Sequence, residues 1–156
     1  MGVLDISSTS PDWRAHALSN FSPHPLELEG KKFSCAEAFI QGIKFPEEDP
    51  DRERTFHMSG REAKAMSRVA RNRYGIRAVW WNGKQISYGS KEHHTIIGRA
   101  VRAKFQQNQK ALKALLATRG MNLTHDFGRP ESHNTSFPVR VFIGILLSIR
   151  KEYSFR

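Results

Sequence analysis

The sequence predicts a single domain that is mainly α with minor β structure. Several stretches carry apolar residues at helical spacing, and two of them follow a Ser-x-x-Glu pattern that is typical of a helix start. Two short alternating stretches with turn residues indicate small hairpins. A length of 156 residues suits one domain with a sizeable core, and no repeat or linker divides the chain.

The first predicted elements are a small hairpin and a helix. Leu26 and Leu28 alternate with polar residues before a Glu-Gly turn. Ser34 then precedes an apolar periodic run and has Glu37 three residues on, a capping-box pattern that predicts a helix start. We expect this helix to end at Pro46 and the acidic stretch PEEDPDRER to form an exposed loop.

The second part of the chain supplies most of the predicted helices. Ser59 and Glu62 form another capping box, and Asn82-Gly83 suits the type I′ turn of a hairpin. Further helices are predicted from about Lys91 to Gln107, over QKALKALLAT before Gly120, and from Val139 to about Glu152. We expect Pro138 in the first turn of the last helix, and this helix at the centre of the core because it is apolar nearly all round.

The charge of the chain is strongly basic and unevenly placed. The formal net charge is +10; residues 1–57 carry 6 Lys and Arg against 10 Asp and Glu, whereas residues 58–156 carry 19 against 5. This asymmetry favours an anionic partner for the second part, either a nucleotide phosphate or a nucleic acid, although it also serves solubility.

The sequence predicts a soluble, cytoplasmic protein. The single cysteine, Cys35, excludes an intramolecular disulfide and suits a reducing compartment. The first residues lack the basic and apolar regions of a signal peptide, and the longest apolar run, 141–149, is far shorter than the ~18 residues of a membrane span.

One segment, FSCAEAFIQGIKF, places three polar groups on a single helix face. Glu37, Gln41 and Lys44 are four and three residues apart, and apolar residues cover the other faces. Glu37 could simply cap its helix, but a carboxylate in such surroundings could also activate water or stabilise a cationic centre. We expect it to do both.

Other chemistry has weaker signals. Cys35 in the first helical turn could be a nucleophile, but a small buried cysteine is the commoner use. The seven histidines show no metal-binding spacing, so we predict no metal site and no cofactor. Trp80 and Trp81 face opposite sides of a predicted strand, so one belongs to the core and the other can stack on a nucleobase. A series of basic residues before the tryptophans could bind an anion or form a solvated face: Arg61, Lys64, Arg68, Arg71, Arg73 and Arg77.

The order of several motifs resembles the NADAR family, also called YbiA-like. The stretch LSNFSPHPLELEGKKFSCAEAFIQGIKF carries a Ser-Asn-Phe segment, a Gly-Lys turn and a Ser-x-x-Glu helix ending in Gln-x-x-Lys-Phe. The matching residues are Ser19, Asn20, Phe21, Gly30, Lys31, Ser34, Glu37, Gln41, Lys44 and Phe45. REAKAM, RAKFQQN, LLAT and ILLSIRKE resemble later family segments, so the resemblance spans about residues 14–153. We therefore assign residues 14–156 to a YbiA-like domain and residues 1–13 to an N-terminal extension.

The resemblance implies an N-glycosidase of mainly helical fold that cleaves a C–N bond between ribose and a base or amine. Glu37 would stabilise positive charge at the ribose C1′ or direct water to it. Asn20 would position the ribose, Phe21 and Gln41 would be further substrate-binding residues, and Lys44 with Arg77 would meet phosphate. Trp80 or Trp81 would stack on the base, and the spacing from Arg77 favours Trp80.

The sequence departs from the family in two places. The family's Asp…Trp-Gly segment is replaced by THDFGRPESHNTSFP, in which we take Asp126 as a second catalytic candidate and His125 as a substrate-binding one. The NGKQISYGSKE segment is also longer than the family pattern. Both changes bear on substrate choice.

The sequence thus predicts a metal-independent hydrolase of a phosphorylated ribosyl or ADP-ribosyl substrate, and makes no prediction of oligomeric state. The substrate would be a ribosylamino intermediate of the riboflavin pathway or an ADP-ribosylated guanine in nucleic acid. The alternative is a non-catalytic module that binds ADP-ribose or nucleic acid through the same pocket. A third interpretation is a structural basic protein with no ligand.

Overall fold

The computed structural model, which describes residues 2–126 and 128–155, contains seven helices and three two-stranded sheets. The helices are α1 (Trp13–Leu18), α2 (Ala36–Gly42), α3 (Pro50–Phe56), α4 (Gly60–Tyr74), α5 (Lys91–Gln107), α6 (Gln109–Leu116) and α7 (Val139–Ser154). The strands are β1 (Val3–Asp5), β2 (Leu26–Leu28), β3 (Lys31–Phe33), β4 (Ala78–Trp81), β5 (Lys84–Ser87) and β6 (Asn122–Thr124). The predicted class, mainly α with minor β, is confirmed.

Both predicted hairpins are present. β2 pairs with β3 and β4 with β5, each pair antiparallel. Asn82 and Gly83 have φ angles of 52° and 71°, and these positive values at both central residues are the requirement of a type I′ turn.

Helix α2 is the centre of the fold. All seven of its residues are buried, and α3, α4 and α5 pack around it. Gly42 permits the approach of α3, because a Cβ at that position would lie 2.3 Å from ring atoms of Phe56. The chain therefore presents Glu37 and Gln41 from a rigid, fully packed element.

The predicted capping box at the start of α2 is wrong. The Ser34 hydroxyl donates to the Met58 carbonyl instead of capping, and the helix begins at Ala36 after an extended Cys35. The Glu37 backbone N–H donates to the Asn20 carbonyl at 2.9 Å. A tertiary hydrogen bond thus satisfies one of the free N–H groups at the helix start, and the Glu37 carboxylate is available for another role.

The acidic stretch after Pro46 is a helix in part, not the loop that we expected. Asp49 accepts a hydrogen bond from the Asp51 N–H, and Pro50 takes the first helical position of α3. Arg52 is buried and donates to the carbonyls of Phe45 and Trp80. Local composition indicated a solvated segment, but these long-range contacts bury one side of it.

Helix α5 has the predicted bounds, whereas the prediction for α7 is only partly right. α7 begins at Val139 as predicted, but Pro138 precedes it as the N-cap residue instead of lying in its first turn. Only Phe142, Leu146 and Ile149 are buried, and Leu147 is 37% exposed. α7 therefore covers the core with one face and does not form its centre.

The N-terminal segment is packed onto the rest of the domain. β1 pairs in parallel with β6, which lies more than a hundred residues later, and Leu4 and Ile6 join the main core. These first residues therefore contribute to the same core as the later elements. Over the described residues, no helix is both long and apolar enough to cross a bilayer.

Candidate functional site

A cavity of about 440 Å³ opens beside α2. Most of its wall comes from the segment 19–21, α2, one face of α4 and the irregular segment 129–137, with further contributions from Ser7, Ser8, Tyr88, His125 and Phe142. A volume of this order is typical of small-molecule sites.

Glu37 and Gln41 form the polar floor of the cavity. They lie one turn apart on α2, and the Gln41 amide Nε2 donates to Glu37 Oε2 at 2.6 Å. Only 6% of Glu37 and 1% of Gln41 is exposed. The hydrogen bond fixes the orientation of the carboxylate, so its position does not depend on a ligand.

Two buried amide oxygens in the cavity have no partner among the described residues: Asn20 Oδ1 and Gln41 Oε1. A buried oxygen acceptor without a hydrogen bond is costly, and native proteins contain few of them. Both atoms can accept from hydroxyl groups of a ligand.

A buried lysine supports the segment that carries Asn20. The Lys104 Nζ donates to the Ser19 carbonyl at 2.8 Å, and the next carbonyl, that of Asn20, accepts from the Glu37 N–H. Burial lowers the pKa of Lys104 to about 7. Two consecutive carbonyls thus tie this wall of the cavity to α5 and α2.

Three cationic side chains line the cavity near the end of α2 and along α4. Lys44 follows α2, and Lys64 and Arg71 project from α4. Burial, together with the nearby Lys64 and Arg71, lowers the pKa of Lys44 to about 8, although Glu37 opposes the shift. Lys44 is therefore mostly charged at neutral pH, and the group as a whole suits an anion.

The outer wall of the cavity is the segment 129–137. The Tyr88 hydroxyl donates to the Asn134 carbonyl at 2.7 Å, and the Glu131 carboxylate accepts from the Val139 N–H at 2.6 Å. The Phe137 ring lies 5.5 Å from that of Phe142, which anchors the end of the segment. The Lys44 ammonium lies 5.8 Å from the centre of the Tyr88 ring.

Six of the predicted site residues line this cavity: Asn20, Phe21, Glu37, Gln41, Lys44 and His125. His125 is hydrogen-bonded through Nδ1 to the Ile6 carbonyl at 2.8 Å, and its ring packs against Phe142 at 5.9 Å. Its place is therefore set by the N-terminal segment.

Asp126, the second catalytic candidate, does not line the cavity. Its backbone N–H donates to the Asp5 carboxylate at 2.8 Å, and its own carboxylate accepts from the Gly128 N–H. This exposed side chain holds a turn after β6, and the structure does not bring it into the cavity with Glu37.

The predicted base-binding and phosphate-binding residues of the β4 region also lie outside the cavity. Trp81 is buried against Phe33 and Phe39, and its Nε1 donates to Glu29 at 2.7 Å. Both tryptophans are thus used in packing, because Trp80 lies edge-on to the Tyr74 ring at 5.6 Å.

Arg77 is exposed and does not line the cavity either. Arg71 and Lys64 occupy the position by Lys44 that the sequence prediction gave to Arg77.

Cys35 is in an environment unsuited to a nucleophile. Burial raises the pKa of its thiol, so it stays protonated and packs as a small apolar residue. No group of three or more His, Cys, Asp or Glu side chains within residues 2–126 and 128–155 is placed to hold a metal ion.

Residues 12–151 match the family model described as bacteriophage protein GP30.3. The chain belongs to this YbiA-like NADAR family. It is 30% identical over 125 residues to an uncharacterised 17.1 kDa protein of the Gp30–rIII intergenic region of Enterobacteria phage T4, with 80% of this chain and 81% of that protein covered. It is 31% identical over 117 residues to the N-glycosidase YbiA of Shigella boydii serotype 4 (strain Sb227), covering 74% of this chain but only 64% of that protein.

The fold of this YbiA-like chain has a counterpart among solved structures. The NMR structure of the E. coli protein YbiA superposes with a TM-score of 0.67 at 21% identity, over 99% of this chain and 86% of that one. At this identity the likeness establishes the fold alone.

Sequence reasoning missed several residues of the cavity. Lys64 and Arg71 were visible as members of a basic series, and with Ser67 their spacing places them on one face of α4. Tyr88 and the segment 129–137 lie in the two stretches that depart from the family pattern, but the sequence did not show which of their side chains line the cavity.

Proposed function

We propose that this protein is an N-glycosidase that hydrolyses the bond between ribose C1′ and nitrogen in a phosphorylated ribosyl or ADP-ribosyl substrate. The observation that carries the proposal is the buried Glu37 carboxylate, held by Gln41 on the floor of a cavity whose other charged groups are mostly cations. A site that only bound an anion would gain nothing from this carboxylate. The named activity of the Shigella relative supports the same class of reaction.

The Glu37 carboxylate suits the transition state of such a reaction. As the C1′–N bond lengthens, positive charge develops on C1′ and the ring oxygen, and a fixed carboxylate stabilises it. Water then forms the C1′–OH bond, and its proton is passed to the departing nitrogen. Glu37 can orient this water or accept its proton for transfer.

The unpartnered oxygens Asn20 Oδ1 and Gln41 Oε1 suit the ribose. The ribose hydroxyls are donors, and each would satisfy an acceptor that lacks a hydrogen bond. Since Gln41 also holds Glu37, binding of a ribose hydroxyl would align the sugar with the carboxylate.

The cations Lys44, Lys64 and Arg71 suit the phosphate groups of the substrate. Both substrate classes considered above, the ribosylamino intermediate and the ADP-ribosylated guanine, carry phosphate on the ribosyl side of the scissile bond. The proposal includes no metal or cofactor and places the reaction in the cytoplasm.

The proposal is tested by incubating the protein, with a metal chelator, with ADP-ribosylated guanine in DNA, a ribosylamino-pyrimidine phosphate, NAD and ADP-ribose. We expect base or amine release from at least one of them, and a loss of more than about 100-fold in Glu37→Gln, which keeps the shape of the side chain. Glu48→Gln is the matched control, because Glu48 is exposed and lies outside the cavity.

Tight binding without turnover, equal in the wild type and Glu37→Gln, would contradict the proposal and identify a binding module. Turnover that a chelator abolishes and a divalent ion restores would contradict the metal-independent mechanism.

A further inference from the structure

A second cavity, of about 710 Å³, lies between α5 and α7 and shares no lining residue with the candidate site. Two glycines shape this α5–α7 groove. A Cβ at Gly98 would come within 3.1 Å of Ile145 Cδ1, so glycine permits the close approach of the helices there. A Cβ at Gly144 would meet nothing within 4 Å, so the space beside α7 is open.

The groove is basic. Its charged lining residues are Lys91, Arg99, Arg102 and Arg140, and none of its described lining residues carries a carboxylate. Arg99 and Arg102 are paired with carboxylates from outside the groove, those of Glu29 and Glu152. Lys91 and Arg140 form no such ion pair in the described part of the chain, so both ammonium and guanidinium groups are available to a ligand.

The unpaired cations lie where the backbone is also positive. Lys91 is in the first turn of the 17-residue helix α5, and Arg140 is in the first turn of the 16-residue helix α7. Helix N-termini carry partial positive charge and favour anions over cations. Glu92 in the first turn of α5 and the Glu131 carboxylate, which accepts from the Val139 N–H, offset part of this backbone charge. The side chains that line the groove are therefore the main source of its positive potential.

His94 adds a directional group to the groove. It lines the cavity, and its Nε2 atom, which is shielded from water, has no hydrogen-bond partner among residues 2–126 and 128–155. Burial and the nearby Arg140 lower the pKa of His94, so it is a neutral imidazole at pH 7. In the tautomer with a proton on Nε2, it can donate to a ligand oxygen.

We propose that the α5–α7 groove is a second ligand site, which binds a phosphate group through Lys91, Arg140 and His94. Phosphate offers several strong acceptor oxygens to these donors, and the groove is large enough for a nucleotide-sized molecule. The phosphate is carried either by a free nucleotide or by a nucleic-acid strand. This site is independent of the reaction proposed above.

The test is an NMR titration of the ¹⁵N-labelled full chain with inorganic pyrophosphate, with ADP and with a short single-stranded oligonucleotide. The backbone amides of Gly89, Gly98 and Gly144 report on the groove, and those of Gln41 and Lys44 report separately on the candidate site. We expect saturable shifts at the groove amides with at least one probe. Saturable shifts with pyrophosphate or ADP would indicate that the groove binds a free phosphate compound. Saturable shifts with the oligonucleotide alone would indicate that it binds a nucleic-acid strand.

Two variants and a control localise the binding. Lys91→Gln combined with Arg140→Gln should weaken it about tenfold or more, since each change removes a charge-assisted contact. Gly144→Leu should block the groove sterically and still fold, because it points into open space and favours the helix. Lys113→Gln removes an exposed charge on α6 and should leave the affinity unchanged.

The proposal is overturned if no probe gives saturable shifts at the groove amides. It is equally overturned if folded double-variant protein, checked by circular dichroism, binds as tightly as the wild type. Loss of hydrolysis at the candidate site would not affect either readout.

Discussion

Replacement of Lys104 by methionine should remove a large part of the pH dependence of the protein's stability. Lys104 is fully buried, and its ammonium donates to the Ser19 carbonyl, with no carboxylate as ion-pair partner in the described residues. Burial lowers its pKa from the usual 10.5 to about 7. Methionine has a similar length and no charge, so it suits the same space.

The sign of the effect follows from proton binding. Between pH 7 and 10.5 the folded protein has largely lost the Lys104 proton while the unfolded chain keeps it, so wild-type stability rises with pH in this window. The full shift corresponds to at most about 5 kcal/mol, or about 1.4 kcal/mol per pH unit. We expect about half of this, because the protein interior responds to a buried charge with a higher effective dielectric constant.

Methionine also leaves the Ser19 carbonyl unsatisfied, which costs about 1–2 kcal/mol at every pH. The wild type should therefore be about as stable as Lys104→Met near pH 7. It should become the more stable protein by about 2 kcal/mol as the pH approaches 10.

The assay is urea unfolding of both proteins at several pH values from about 6.5 to 10. Lys44 titrates in both proteins, so its contribution cancels in the difference of the two free energies. Lys113→Met, at an exposed position of α6, should give a difference that does not change with pH. A constant difference for Lys104→Met as well would refute the reasoning.

Three further changes test the packing and the site. Gly42→Ala should destabilise the protein by about 1–3 kcal/mol in urea unfolding, because its Cβ would overlap Phe56; an unchanged midpoint would contradict the packing of α2 on α3. Trp81→Ala should lower the free energy of unfolding by about 3–5 kcal/mol, since the ring fills the core. A variant that is as stable as the wild type but binds ligand more weakly would show that Trp81 contacts the ligand. Lys44→Met should weaken binding of a phosphorylated ligand about tenfold at pH 7. The wild type should lose affinity as the pH rises through about 8, because Lys44 loses its proton, and Lys44→Met should not show this loss. A loss of affinity that persists in Lys44→Met would exclude Lys44 as its cause.

The sequence was a good guide wherever structure depends on neighbouring residues. The bounds of α5, the Ser59–Glu62 capping box and the Asn82-Gly83 turn follow from local hydrogen bonds and backbone preferences. The pairing of β1 with β6 could not be predicted this way, because it joins distant segments of three residues each. Ser34 shows the same limit, since a contact with Met58 replaced a local cap.

The site residues that could be predicted are likewise those whose positions depend on neighbouring residues. Glu37, Gln41 and Lys44 were found from their spacing, because one helix and the turn after it place all three. Asp126 and Arg77 were proposed from sequence proximity to family motifs, and the packing of β4 and β6 directs them elsewhere. Tyr88 lies in a segment that departs from the family pattern, but only the fold shows that its side chain lines the cavity.

The most direct test of the central claim is the rate of C1′–N bond cleavage at saturating substrate, compared between wild type and Glu37→Gln. We predict that kcat falls by more than about 100-fold while ligand affinity changes little, because Glu37 acts on the charge of the transition state and not on the ground state. The same kcat in both folded proteins would show that the buried carboxylate is not catalytic, and the N-glycosidase mechanism built on it would be wrong.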